Sequence, residues 1–163
     1  MVDTQSVKST AVGGEERGYD GGKKEVKGRK RHLLVDTEGF VLRAKVHSAK
    51  VMDYEGIKTL LRKADERFPR LSHLWLEAGY RAEDKGADWV KKALGWSVDV
   101  VERPKKPAPE GVLLAWAREW AKEGVAVDWL SLLPPRGFVV LPRRWVVERT
   151  IACIDQNRRM SKD

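Results

Sequence analysis

Three carboxylates, distant from one another in the chain, carry the chemistry that this sequence could perform. Glu148 stands in "RRWVVERTIACIDQNRRMSKD", residues 143–163, a stretch otherwise dominated by arginine. Arg144 precedes it by four residues, so on a helix the two side chains form an ordinary surface ion pair. A sharper reading joins Glu148 to Asp3, on what reads as the first strand, and to Glu77, at the end of "SHLWLE". Carboxylate oxygens are hard ligands that suit Mg²⁺, and two such ions ~3.5 to 4 Å apart activate a nucleophile and stabilise a leaving oxygen on phosphorus. The chemistry implied is phosphodiester cleavage or transfer.

Three such acids need a scaffold, and the composition allows one. The chain has 163 residues, 42% hydrophobic with seven Trp, which fits a single packed domain. Lys and Arg total 32 against 24 Asp and Glu, a net charge of +8 that favours a polyanionic partner, nucleic acid first. Cys153 is the only cysteine, so no internal disulfide forms; between Ile151 and Ile154 it reads as a small core residue in a reducing setting. No apolar run approaches the ~18 residues of a membrane span, and a cytoplasmic protein is the expectation.

The elements follow from periodicity. "MVDTQSV" reads as the end of a strand cut short before Asp3, and the Gly-rich polar stretch from Ser9 to Lys30 as a long loop. "RHLLVD" and "FVLRAKVH" form strands around the turn Thr37 to Gly39; in the second, Phe40, Leu42, Ala44 and Val46 alternate with Val41, Arg43, Lys45 and His47 as in a half-buried strand. Asp53 is placed as the N-cap of a helix carrying Tyr54, Ile57, Leu60, Leu61, Ala64 and Phe68, which Pro69 stops. Strand "SHLWLE" ends on Glu77. A second helix over about Asp84 to Leu94 buries Trp89, Val90, Ala93 and Leu94, and Gly95 caps it.

Strand "WSVDVV" follows, and then prolines surround one helix, "GVLLAWAREWAKEG", read as an insertion over about 103–136. A short strand "FVVLP" precedes the last helix, whose apolar face is Val147, Ile151 and Ile154. Three strands, then helix, strand, helix, strand, insertion and helix is the order of an α/β, ribonuclease-H-like mixed sheet flanked by helices. It is read as one domain over 1–163.

Cations cluster in two places. Lys23, Lys24, Lys27, Arg29, Lys30 and Arg31 face one acid, Glu25, in a stretch that could follow a phosphate backbone. Arg143, Arg144, Arg149, Arg158, Arg159 and Lys162 line the last helix and its end; Arg144 either orients Glu148 or grips a phosphate bidentately. "GGEERGYDGGKK" is no P-loop, since Tyr19 stands where Lys is required. His32, His47 and His73 lack Cys partners at zinc spacing and read as surface or edge residues. Trp75, Trp89, Trp96 and Trp145 read as buried, and packing is favoured over DNA contact for Trp116 and Trp120.

The blocks "VDTQSVK", "GYDGGKK", "VKGRKRHLLVDTEG", "LWLEAGYR" and "GFVVLPRRWVVERT" with "NRRMSKD" resemble, almost end to end and in order, the catalytic domain of bacterial insertion-sequence transposases of the DDE type. The resemblance implies a ribonuclease-H-like fold in which Asp3, Glu77 and Glu148 are the catalytic metal-binding triad. It implies two Mg²⁺ or Mn²⁺ ions, double-stranded DNA as partner at transposon ends and target, and a homodimer as one allowed assembly. The activity implied is cleavage of DNA ends and transfer of the freed 3′-hydroxyl strand. Two features depart from the pattern: Glu77 stands where the family has Asp, and no N-terminal DNA-binding region precedes the first strand. They leave open an alternative, a non-enzymatic DNA-binding remnant of a transposase. A ribonuclease-H-like nuclease acting on RNA–DNA hybrids is a weaker third reading.

Overall fold

The structure, a computed structural model, describes residues 1–10, 15–21, 26–81, 85–102, 110–126, 128, 141, 143–157 and 159–161. The strand expected at 138–142 lies outside them apart from Leu141, as do the expected DNA contacts Lys23, Lys24, Arg158 and Lys162. Two compact units are present, residues 1–102 with 141–163, and residues 103–140. The second unit contains one described helix, Glu110–Lys122, on which the Trp116 and Trp120 rings stack with centroids 6.5 Å apart. Trp116 is half exposed, not packed away as expected.

The first unit is mixed α/β. Its elements are β1 (Val2–Lys8), β2 (Gly18–Asp20), β3 (Val26–Val35), β4 (Val41–Ser48), α1 (Asp53–Leu61), α2 (Ala64–Arg67), β5 (His73–Glu77), a 3-10 turn (Ala78–Tyr80), α3 (Gly86–Leu94) and β6 (Ser97–Val101). With the second-unit helix as α4, the last helix is α5 (Arg144–Gln156). β3 pairs antiparallel with β1, β2 and β4, while β5 and β6 form a separate parallel pair joined through α3. One continuous mixed sheet was the expectation. Among the described residues no ladder joins β1 to β5; side chains join them instead, since Val2, Leu34, Leu74 and Leu76 share one buried cluster with Ile57, Leu60 and Val90.

Two sequence readings of the amino-terminal region are corrected. β1 is a strand of seven residues that runs on to Lys8, so Asp3 lies near its start and not at its end. The stretch read as a long loop holds β2 and the first five residues of β3. Gly28 explains the change: it pairs with Lys8 of β1 on one side and Gly18 of β2 on the other, where β2 takes over along β3 from β4, whose pairing ends at Arg29, and a side chain there would run into the Val7 backbone. Among the described residues β4 pairs with β3 alone; Phe40, just before it, is 71% exposed and Val46 is exposed too, so of the expected apolar face only Leu42 packs inward.

The helix expected to run unbroken to Phe68 stops at Leu61, because Lys63 adopts a left-handed backbone (φ 58°) and starts α2. Met52, not Asp53, is the N-cap of α1; the Asp53 carboxylate instead meets Lys30 at 2.8 Å. α3 buries Ala87 and Val90 while Ala93 is exposed, and Gly95 caps it in the left-handed conformation as expected. Cys153 is exposed, not in the core. His32 is fully buried, not at the surface, and Trp145 is 49% exposed, not buried.

Candidate active site

Strand alternation decides which face each acid takes. Val2, Leu74 and Leu76 point into the cluster under α1 and α3, whereas Met1, Leu33, Val35 and Trp75 pack with Val146 and Val147 of α5. Asp3 pairs in register with Leu33, and Glu77 is two residues beyond Trp75, so both carboxylates share the α5 face. α5 is pinned over that face by its buried stripe and by two bonds to the β3–β4 turn. Thr150 Oγ1 donates to Gly39 O at 2.7 Å, and the Arg149 guanidinium donates to Glu38 O. Gly39 has φ 95°, a conformation that favours glycine, with Thr150 and Arg149 directly against it.

Arg144, in the first turn of α5, then reaches both other acids. Its Nη2 lies 2.5 Å from Glu77 Oε1, and its Nε donates to Glu148 Oε1 at 2.6 Å. Burial works against the Arg144 charge, but the Glu148 hydrogen bond and the charges of Glu77, Glu148 and Asp3 outweigh it and raise the pKa further. Asp3 has a different fate. It is 8% exposed, its Oδ1 accepts from Thr4 N at 2.7 Å, and it makes no ion pair among the described residues. Burial, then the Glu77 charge, push its pKa from 3.8 up to about 6. The site holds more acid than its one guanidinium neutralises.

The three acids of the sequence reading are thus brought together, with Arg144 as hub. The cations fare unevenly. Arg143, at the left-handed N-cap of α5 (φ 63°), lies over the Trp75 ring at 5.3 Å, and Arg149 over Trp145 at 4.9 Å. Lys27 and Arg159 are exposed, and Arg29 donates to Glu15 O. Lys30 and Arg31, expected at DNA, are turned towards acids of the chain itself. Lys30 is buried on the opposite face between Asp53 (2.8 Å) and Asp20 (3.5 Å), and Arg31 is drawn inward towards Asp155 at 3.8 Å.

Sequence reasoning missed Tyr80. Its buried hydroxyl is held protonated, with a pKa raised well above 10 by burial and then by Asp53, Asp3 and Glu77. The one available signal was an aromatic residue three places after Glu77 in "LEAGY".

Among the described residues no helix is long and apolar enough to cross a membrane. No curated protein and no solved structure matches the chain. The sequence profile of one family, the Transposase DDE domain, matches residues 1–162. An end-to-end match, with the acids of three separated blocks gathered on one face, places the chain in the transposase DDE-domain family.

Proposed function

We propose that this chain is the catalytic domain of a DNA transposase. It hydrolyses phosphodiester bonds at DNA ends and transfers the freed 3′-hydroxyl strand to a target duplex. Asp3, Glu77 and Glu148 are the catalytic carboxylates in this reading, in a ribonuclease-H-like arrangement of β1, β5 and α5. The observation that carries it is Asp3: a deeply buried carboxylate with no ion pair among the described residues, its pKa lifted to about 6 beside two further acids. A purely structural site would have neutralised it.

The donor chemistry suits Mg²⁺ or Mn²⁺, hard cations that take carboxylate oxygens. Asp3 is the anchor that would hold such an ion, with Glu77 and Glu148 as neighbours. As arranged, no three His, Cys, Asp or Glu side chains among the described residues close round one point. The Arg144 guanidinium stands between the two glutamates instead. When bound, a divalent ion polarises the phosphoryl oxygen and lowers the pKa of water.

The protein's own groups do the rest. Arg144 orients both glutamates and, once it releases one, presents its fork to a phosphate oxygen pair. Trp75 and Val147 close the floor of the site beneath Arg143. Water attacks phosphorus and the 3′ oxygen leaves with a proton; in the second step that 3′-hydroxyl attacks a target phosphodiester and displaces its 3′ oxygen.

The test is a nicking assay on supercoiled DNA with Mg²⁺ or Mn²⁺. Cleavage should appear with the wild-type chain and fall by at least about 10³-fold in Glu148→Gln, as for the loss of a group acting in the transition state. Residual nicking that Glu148→Gln leaves unchanged refutes the assignment. One specific observation favours a second reading, a DNA-binding remnant: Glu77 adds a methylene where the family has Asp and its oxygen is taken by Arg144. DNA binding without nicking, even in Glu77→Asp, decides for that reading.

A further inference from the structure

Away from the carboxylates, Arg43, Lys45, Arg62, Lys63 and Arg67 gather with Glu66 around one cavity of about 550 Å³, completed by Thr59. We propose that this cavity is a second DNA-backbone site, which holds the phosphates of a duplex at a distance from the scissile bond. The proposal rests on the reading that the chain acts on DNA, and it assigns a contact surface that the motif-bearing blocks do not include.

Register places it. Arg43 pairs with Leu34 and Lys45 with His32, and those β3 residues pair in turn with Val2 and Thr4 of β1. Asp3 belongs to the intervening row, with Leu33 and Ala44. Because successive residues alternate in face, Arg43 and Lys45 are on the side of the sheet opposite the carboxylates. They are also two strands away, about 10 Å across the ladder.

The cavity is built, not incidental. Arg43 Nη1 donates to Arg62 O at 2.7 Å, so a guanidinium is fixed at the C-terminal end of α1, where the helix dipole favours a cation. The left-handed Lys63, a backbone that non-glycine residues rarely adopt, breaks the helix there. The break turns Arg62, Lys63 and, one turn later, Arg67 onto the same cavity. Among the described residues the only acid lining it, Glu66, is 3.9 Å from Lys63 with both side chains mostly exposed, a contact that offsets little.

Five cations against one acid leave a surplus of four, half of the chain's net +8, in one place. Among the described residues the lining has no aromatic or apolar side chain on which a base could stack, so it reads phosphate and not sequence. A repeating array of phosphates satisfies several of these cations at once.

The test is the salt dependence of duplex binding by the full chain, read by fluorescence anisotropy with a short duplex of arbitrary sequence. In Arg62→Gln/Lys63→Gln/Arg67→Gln the slope of log affinity against log salt should fall by about 2 to 3, since each lost phosphate contact removes about 0.9. A control with the same charge loss elsewhere, Arg81→Gln/Lys91→Gln/Lys92→Gln, should change it by less than half as much. A wild-type slope in the first variant, or equal losses in both, overturns the proposal.

Arg62→Lys/Arg67→Lys should keep the wild-type slope; a loss there, with unchanged thermal melting, argues against a charge-reading surface. Poly-glutamate binding that the first variant abolishes while duplex binding persists assigns the cavity to an acidic protein and overturns it too. The slope is read in metal-free buffer, where no nicking is expected, so a failure of the nicking assay stays distinct from a failure here.

Discussion

On the α1 face of the sheet Lys30 and His32 are as deeply buried as Asp3 is on the α5 face, yet their surroundings are opposite in kind. Lys30 has Asp53, Asp20 and the Val51 carbonyl. His32 Nε2 donates to Asp53 O at 3.2 Å, which leaves Nδ1 to accept from His47 Nε2 at 2.8 Å. His47 Nδ1 in turn faces the Ser48 carbonyl at 3.0 Å. Burial and then His47 lower the His32 pKa to about 4, which keeps that ring neutral. Lys30 Nζ and both His32 nitrogens thus have partners, as in a network that specifies structure. Asp3, by contrast, is buried against other acids. The comparison separates buried charge that holds the fold from buried charge that the fold holds in readiness.

The largest effect expected on the structural side is at Gly56. A side chain there would overlap the His32 ring and crowd the His47 ring. Gly56→Ala should therefore destabilise the protein by about 3 kcal/mol in urea unfolding, at the upper end of overpacking costs. A loss within experimental scatter means that the two rings do not occupy the space above α1.

The contrasting change on the α5 face should stabilise. Folding raises the Asp3 pKa from 3.8 to about 6, so the folded state holds that proton more tightly and this group's contribution falls as pH rises from about 4 to 6. Asp3→Asn should accordingly gain about 2 kcal/mol over wild type in metal-free buffer near neutral pH, while nicking is lost. His32 acts with the opposite sign. Its pKa is lowered from 6.5 to about 4, so its contribution is present above about 6.5 and is lost as pH falls through that window. The two slopes oppose each other in the wild type. In Asp3→Asn the loss of stability between pH 6 and 4 should be visibly steeper, and an unchanged profile would mean that Asp3 titrates normally.

A smaller effect belongs to the anchor of α5. Thr150→Val removes the bond to Gly39 O and should cost about 1 kcal/mol, with nicking reduced through the placement of Glu148. Equal stability in this variant means that the buried stripe of α5 alone fixes the helix.

The same contrast explains what could be read from the sequence. α3 with its Gly95 cap, β5 ending on Glu77, and the apolar face of α5 depend on local periodicity, and they were legible. The amino half of β3 was not, because Lys27, Arg29 and Lys30 look like solvated charge until Asp53 and Asp20 arrive from elsewhere to neutralise Lys30. The break at Lys63 left no mark on the helical pattern, since Ala64 and Phe68 continue its period beyond the kink. At the site, spacing alone gave the Arg144–Glu148 pair. Glu77 joined the same guanidinium only through the packing of α5 over β1 and β5.

The central claim is that Asp3, Glu77 and Glu148 form one acidic centre that accepts a divalent cation. Thermal melting of the wild-type chain at a fixed pH above 7, with and without Mn²⁺, tests it most directly against Asp3→Asn. The account predicts that Mn²⁺ raises the wild-type melting temperature, by the equivalent of about 2.7 kcal/mol at a hundredfold excess over its dissociation constant. Asp3→Asn should start higher and respond little. Identical responses of the two proteins to Mn²⁺, whether both rise or neither does, would contradict it.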